Sequence, residues 1–226
     1  MCGRYVSEAK KDQIRKEFQA KVDEAFPDKP RYNIAPSQMI DAVLRDQSET
    51  ILTKLKWGLI PHWSKDAAIG SKLTNARAET LAEKPSFRDA FKSRRCIIPA
   101  TGFYEWKKGA DGKQPFFFYL KNKSLFGFAG LYENWIDKTT GEQLETCTII
   151  TTEANAVLKP VHDRMPVILK ADAYDEWLDE KSKDAKNLEK LLIPYPAEEM
   201  DSHPVGRRVN IPDSNSEDLI KPLNSL

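Results

Sequence analysis

The chain has 226 residues, of which 40% are hydrophobic and 31% are charged, and this balance is typical of a globular protein with a substantial core. Its formal net charge of +1 argues by itself neither for nor against nucleic acid as a partner. No apolar run approaches the roughly 20 residues that span a bilayer, and residues 1–8 do not resemble a signal peptide. We therefore expect one domain over residues 1–226, in the cytoplasm and away from membranes.

Cysteine and histidine usage argues against disulfides and metal sites. Cys2, Cys96 and Cys147 are far apart and form no C-x-x-C pair. The three histidines have no second ligand at zinc-like spacing. Reduced thiols suit a cytoplasmic protein. The sequence thus predicts no metal and no cofactor.

The predicted elements begin with a helix and continue as strands. Residues 8–20 predict a helix capped by Ser7, with Ile14 and Phe18 at i, i+4 on its buried side. Strands are predicted at residues 39–44, 51–57, 96–98, 103–106, 116–120, 125–131 and 146–151. Asp111-Gly112 predicts a hairpin turn between the fourth and fifth of them.

Helices return in the last third of the chain. They are predicted at residues 154–158, 173–178 and 184–192, and Asp172 is expected to cap the second. Residues 61–74 are predicted to form a long loop, a kind of segment that is often functional in a compact domain. Strands dominate the middle and helices the flanks, without βαβ alternation. We therefore predict an α+β domain with a mainly antiparallel, barrel-like β core flanked by helices.

Charge is unevenly distributed along the chain. Residues 84–108 contain seven basic and two acidic residues, whereas residues 171–201 contain ten acids and four lysines. Such an arrangement would let one face attract a phosphate backbone, although ordinary solvated faces give the same pattern.

Cys2 has a specific chemical potential because of its position. Methionine aminopeptidases remove Met1 when the next residue is small, and the product would carry a thiol and a free α-amine on one residue. A 1,2-aminothiol condenses with an aldehyde, first through an imine and then through closure of a thiazolidine ring. Reference pKa values of about 7.7–8.0 for the amine and about 8.5 for the thiol leave reactive amine at neutral pH. A cysteine at position 2 can also occur by chance.

Six short motifs occur in order and together carry a resemblance. They are Met1-Cys2-Gly3-Arg4-Tyr5, Arg31-Tyr32-Asn33-Ile34-Ala35-Pro36, Trp57-Gly58-Leu59-Ile60-Pro61, Asn75-Ala76-Arg77-Ala78-Glu79-Thr80, Gly102-Phe103-Tyr104-Glu105-Trp106 and His162-Asp163-Arg164-Met165-Pro166. The chain resembles the SRAP family of SOS-response-associated peptidases, or abasic-site processing proteins, from Cys2 to about Pro222. The resemblance implies the SRAP fold and a role in DNA damage and the SOS response.

The resemblance also implies catalytic roles for four residues. Cys2 would form a thiazolidine crosslink with the ring-opened sugar aldehyde of an abasic site. Asn75 would lie beside this nucleophile, and Glu105 would move protons at its amine. His162 would hydrogen-bond the opened sugar.

DNA contacts follow from the same resemblance. Arg4 and Arg77 match arginines that hold phosphates near the lesion, and Trp63 and Trp106 could stack on neighbouring bases. Some members have two consecutive tryptophans where this chain has Trp63-Ser64. This difference leaves open which side chain would be inserted as a wedge beside the lesion. Trp57 is assigned to the core.

The predicted partner is single-stranded DNA that contains abasic sites, bound by a monomer that would be nucleoid-associated when on DNA. The protein partners are not specified by the sequence. Three other functions stay open: an N-terminal-cysteine peptidase or amidohydrolase, which could also remove Met1 autocatalytically, a non-covalent single-strand-binding module, and an AP lyase that acts through the same imine.

Overall fold

The computed structural model describes residues 2–110, 112–122, 124–182 and 184–223, and strands dominate them. The strands are β1 (Arg4–Ser7), β2 (Arg31–Ile34), β3 (Met39–Asp46), β4 (Glu49–Trp57), β5 (Asn75–Arg77), β6 (Arg95–Ala100), β7 (Gly102–Gly109), β8 (Gly112–Leu120), β9 (Phe126–Ile136), β10 (Gln143–Glu153), β11 (Arg164–Pro166), β12 (Ile168–Leu169) and β13 (Met200–Pro204). The α-helices are α1 (Lys11–Glu17), α2 (Arg88–Ser93), α3 (Tyr174–Leu178) and α4 (Ala185–Glu189).

Five strands close into a barrel. The pairs β4–β3, β3–β6, β6–β9 and β9–β10 are antiparallel, and β10 pairs with β4 in parallel to complete the ring. Both faces of its strands are covered by buried apolar side chains, with Val43 and Ile97 on one face and Ile98 and Phe128 on the other. The predicted barrel-like, mainly antiparallel core is therefore confirmed.

A second, antiparallel sheet lies against the barrel in the order β13-β8-β7-β1-β2. One of its faces packs on the barrel through aromatic rings. The centroid of Tyr5 is 5.5 Å from that of Trp57, and the centroids of Phe103 and Phe128 are 5.9 Å apart. This packing places β1 and β7, which carry two of the six motifs, at the centre of the molecule. The assignment of Trp57 to the core is also confirmed, because its side chain is fully buried.

All seven predicted strands are present, and they correspond to β3, β4 and β6–β10. The β7–β8 hairpin is confirmed by the pairing of Gly109 with Gly112, although Asp111 lies outside the described residues. The strands that the sequence pattern missed are β1, β2, β5 and β11–β13, which have between two and five residues each. A run this short shows too little alternation to be recognised.

The helix predictions need correction at their ends. The first helix is α1, which begins at Lys11 with Lys10 as its N-cap. Ser7 cannot cap it, because Ser7 ends β1 and pairs with Arg31. Ile14 and Phe18 are buried as predicted.

The later helices are shorter than predicted or absent. Residues 154–158 form no α-helix. The Asn155 side chain accepts the backbone N–H groups of Val157 and Leu158 as an N-cap does, but the chain after it makes only turns up to Val161. Asp172 does not cap α3, because it lies within a 3-10 turn, Ala171–Ala173. The last predicted helix is the short α4, whose N-cap Asp184 accepts from Lys186 N.

The predicted loop at residues 61–74 is irregular except for a 3-10 turn at Ala67–Lys72. Trp135 Nε1 donates to Ser64 O over 2.8 Å and ties this loop to β9. No helix within the described residues is long and apolar enough to cross a membrane.

Candidate functional site

Cys2 lies just before β1 and is fully buried. β1 runs antiparallel to β7, and their pairing ends where Arg4 faces Tyr104. The chain before Arg4 therefore runs beside Glu105, the next residue of β7. The first and fifth motifs, about 100 residues apart in sequence, meet here because their strands are neighbours in one sheet.

Asn75 holds the main chain of Cys2. It lies on β5, which pairs in parallel with β10 and places Asn75 opposite Ile149. Its Nδ2 donates to Cys2 O over 2.9 Å and to Thr74 Oγ1 over 3.2 Å. Its Oδ1 is buried and accepts no hydrogen bond from the described residues. Asn75 therefore orients Cys2 and leaves one acceptor for a donor group at this point.

The Cys2 thiol is far less acidic than a free cysteine. Burial raises its pKa well above its usual range, the Glu105 carboxylate adds to the rise, and the Arg4 backbone N–H acts in the opposite direction. The buried thiol therefore keeps its proton to a higher pH than a free cysteine does. A thiol in this setting needs a nearby base before its sulfur can react.

Glu105 is the candidate for that base, because its charge acts on the Cys2 thiol. Its side chain belongs to the barrel-facing side of β7 and is 3% exposed. Burial raises the pKa of its carboxyl group, and the His162 ring opposes this rise. A carboxyl group with a raised pKa is suited to exchange protons near neutral pH.

His162 has a defined hydrogen-bond arrangement. Its Nδ1 accepts the backbone N–H of Arg164 over 2.9 Å, and the same nitrogen is 3.0 Å from Asp163 Oδ1. Both contacts cannot be donor–acceptor bonds at once. We assign the first, because a backbone N–H can only donate and the Asp163 side chain is 79% exposed to competing water. The neutral ring then carries its proton on Nε2.

Glu105 and His162 open onto the same pocket. Its volume is about 430 Å³, and its lining comprises Glu105, Trp106, Lys108, Lys113, His162 and Asn210. Cys2 and Asn75 are not among the residues that line it. The structure thus brings together Cys2 with Asn75 through a hydrogen bond, and Glu105 with His162 across the pocket.

The four residues predicted to contact DNA differ in their exposure and in their hydrogen bonds within the protein. Arg77 is exposed, two residues after Asn75 on β5. Trp63 is 46% exposed in the long loop, whereas Trp106 lines the pocket and donates from Nε1 to Asn210 Oδ1 over 2.8 Å. Arg4 is bound within the protein, since its Nη1 donates to Asn33 Oδ1 and to Val209 O, each over 2.8 Å.

Comparison with known proteins identifies the family. The model of the SOS response associated peptidase (SRAP) family matches residues 1–212. The chain belongs to the SRAP family. The abasic site processing protein YoaM of Bacillus subtilis is 48% identical over 100% of both chains, and the abasic site processing protein HMCES of Gallus gallus is 32% identical over 86% of this chain and 67% of its own.

The fold is shared with solved structures as well. A crystal structure of a protein from Bacteroides thetaiotaomicron superposes with a TM-score of 0.89 at 29% identity and covers 98% of this chain and 99% of that one. The α+β architecture described above is therefore that of SRAP proteins.

One further pair of residues connects two SRAP motifs. Arg164 forms a bidentate ion pair with Glu79, with distances of 2.7 and 2.9 Å, and its Nη2 also donates to Thr151 O over 2.7 Å. The same residue donates its backbone N–H to His162. Arg164 thus couples the His162 segment to the segment that follows Asn75 and Arg77. Glu79 and Arg164 belong to two of the six motifs, but only the folded chain shows that they are in contact.

The three cysteines are all free and buried, as expected for reduced thiols. Within the described part of the chain, no group of His, Cys, Asp and Glu has the arrangement of a metal site.

Proposed function

We propose that this SRAP protein captures abasic sites in single-stranded DNA covalently, through the thiol and α-amine of Cys2 after Met1 has been removed. The observation that carries the proposal is the contact of Asn75 with the main chain of a buried Cys2, next to a buried Glu105 whose pKa is raised. The name abasic site processing protein, given to YoaM and HMCES, supports DNA with abasic sites as the substrate.

The reaction joins one aldehyde to one aminothiol with loss of one water. The Cys2 nitrogen attacks C1′ of the ring-opened sugar, and the resulting carbinolamine takes up a proton and loses its hydroxyl as water to give a protonated imine. The sulfur then adds to the imine carbon, the C=N electrons return to the nitrogen, which keeps its proton, and the thiol proton goes to the base that supplied the first one. Both nucleophiles belong to one residue, so ring closure needs no second encounter.

Glu105 can serve both proton transfers. Because burial raises its pKa, the carboxyl group keeps its proton to a higher pH than an exposed glutamate does, and it can deliver that proton to the departing hydroxyl. The carboxylate left behind then takes the proton of the Cys2 thiol as sulfur attacks. The buried thiol has a raised pKa and does not ionise by itself. In this cycle the Glu105 carboxylate takes the thiol proton, and the sulfur becomes nucleophilic at that moment.

The other site residues orient the substrate. His162, with its proton on Nε2, can donate to a hydroxyl of the opened sugar. The buried Oδ1 of Asn75 can accept from the Cys2 amine or from the sugar. The exposed guanidinium of Arg77 can bind a phosphate, and Trp63 and Trp106 offer faces for neighbouring bases.

Arg4 contributes to this function mainly as a structural group. It holds the start of β1 against residues 33 and 209, and this fixes the direction from which Cys2 enters the site. The same imine can also lead to β-elimination, so strand cleavage is a side branch of the proposed reaction.

The test is adduct formation with an oligonucleotide that contains one abasic site. Wild-type protein should give a gel shift that survives denaturation, with an intact mass one water below the sum of protein without Met1 and DNA. Cys2→Ala should give no adduct, and a blocked N-terminus should have the same effect.

Cys96→Ala is the matched control, because Cys96 is also a free, fully buried thiol. It should form the adduct at the wild-type level. An undiminished adduct in Cys2→Ala would mean that another nucleophile, such as a lysine, attacks the aldehyde, and the proposal would be wrong.

A further inference from the structure

Two lysines at the end of the β7–β8 hairpin face each other at the pocket. Lys108 on β7 lies directly opposite Lys113 on β8. Directly opposite residues of an antiparallel pair project from the same face of a sheet. Trp106, two residues before Lys108, shares that face by strand alternation, and all three side chains line the pocket with Glu105 and His162.

This like-charge pair is unfavourable for the hairpin alone. Like charges directly opposite in an antiparallel sheet repel each other, and neither lysine forms an ion pair or hydrogen bond within the described residues. Elsewhere in the chain directly opposite charges attract each other, as Asp41 on β3 and Lys54 on β4 do by forming an ion pair. Lys108 and Lys113 have no such opposite charge across their hairpin.

A third donor lies next to the two ammonium groups. Asn210 also lines the pocket, and its Oδ1 accepts the indole N–H of Trp106. The amide Nδ2 then has no acceptor among the described residues. Three donor groups without acceptors, two of them charged, suit an anion with several oxygens, and a phosphate has this chemistry.

We propose that Lys108, Lys113 and Asn210 bind one phosphate of the DNA backbone beside the abasic nucleotide. The inference rests on the proposed function, which supplies the ligand: a DNA strand whose abasic nucleotide reacts at Cys2. The phosphate is placed beside that nucleotide because Glu105 borders the same pocket. The bound phosphate relieves the repulsion between the lysines and sets the position of the sugar relative to the reacting thiol. Trp106 holds Asn210 in place through its indole N–H.

The first measurement is the salt dependence of binding to an oligonucleotide with a non-reactive abasic analogue, followed by fluorescence anisotropy. In Lys108→Gln/Lys113→Gln the slope of log K against log salt should fall by roughly 0.7, the value of one phosphate contact on a single strand. The matched control is Lys107→Gln/Lys121→Gln, with the same loss of charge. Lys107 projects from the other face of the hairpin, opposite Gln114, and Lys121 follows the far end of β8.

The second measurement locates the phosphate. Neutral methylphosphonate replaces one phosphate at a time on either side of the analogue. One position should weaken binding by wild-type and control proteins, and the same replacement should have no effect in Lys108→Gln/Lys113→Gln. Identical profiles in the two double variants would overturn the proposal. Competition by inorganic phosphate beyond that of chloride, without any sensitive position, would indicate a site for free phosphate and would overturn it as well.

Adduct formation separates this inference from the proposed function. At saturating protein, Lys107→Gln/Lys121→Gln should form the adduct with a true abasic site at the wild-type rate, whereas Lys108→Gln/Lys113→Gln should form it more slowly because the sugar is less well positioned against the thiol. If wild-type protein forms no adduct, the covalent mechanism is wrong. The methylphosphonate scan still shows in that case whether Lys108 and Lys113 bind a backbone phosphate.

Discussion

Glu105→Gln should separate chemistry from binding. Glutamine keeps the size of the side chain and a hydrogen bond but cannot exchange a proton. General acid–base groups contribute about 10²–10⁴-fold to rates. The pocket beside Glu105 has a volume of about 430 Å³ and admits water that can replace part of the proton transfer. We therefore expect the lower end of that range, about 10²-fold, which corresponds to roughly 2.7 kcal/mol of barrier.

The assay is single-turnover crosslinking at saturating protein, beside anisotropy with a non-reactive abasic analogue. The crosslinking rate should fall while the affinity for the analogue changes little. A wild-type rate combined with weaker binding would refute the reasoning, because Glu105 would then be a binding residue and the proton transfers would pass to His162.

The same variant also has a predicted effect on stability. The folded-state pKa of Glu105 is raised, so the stability that its protonated form provides is complete below the unfolded pKa and is lost as pH rises through the folded pKa. Glutamine does not ionise. Glu105→Gln should therefore melt at a higher temperature than wild type at neutral pH, and the difference should disappear in acid. A lower melting temperature at every pH would contradict the assigned cause.

Three further predictions concern the surroundings of the site. Arg77→Ala should weaken binding to single strands and reduce the salt slope by roughly 0.7, and an unchanged slope would remove Arg77 from the contact surface. Glu79→Gln should leave analogue binding unchanged and slow crosslinking about fivefold, the effect of roughly 1 kcal/mol in positioning His162 through Arg164; an unaffected rate would limit the ion pair to structure. Arg95→Met removes five hydrogen bonds from a 3% exposed guanidinium to main-chain carbonyls. The loss should cost about 3–5 kcal/mol, since each buried carbonyl left without a donor costs about 1–3 kcal/mol and some of the five can be reached by water, and it should lower the melting temperature by roughly 6–20 °C. Calorimetry that shows no shift would contradict this assignment.

The sequence by itself determined the seven longer strands and the positions of the motifs. Alternation of apolar and polar residues is a local property, and runs such as Met39–Asp46 and Phe126–Ile136 are long enough to show it. The same local reasoning failed at residues 154–158. There the Asn155 side chain caps the N–H groups of Val157 and Leu158, but the chain that follows makes only turns, and hydrophobic periodicity does not show how far a helical turn continues.

Only the tertiary structure decided how the motifs act on one another. The parallel pairing of β10 with β4 closes the barrel, and the pairing of β1 with β7 brings Cys2 beside Glu105. Burial then raises the pKa values of both groups, and Lys108 meets Lys113 across a hairpin. Pairing and burial depend on residues distant in the chain, so a pattern read along the sequence identifies the reacting groups but not the environment that governs their protons.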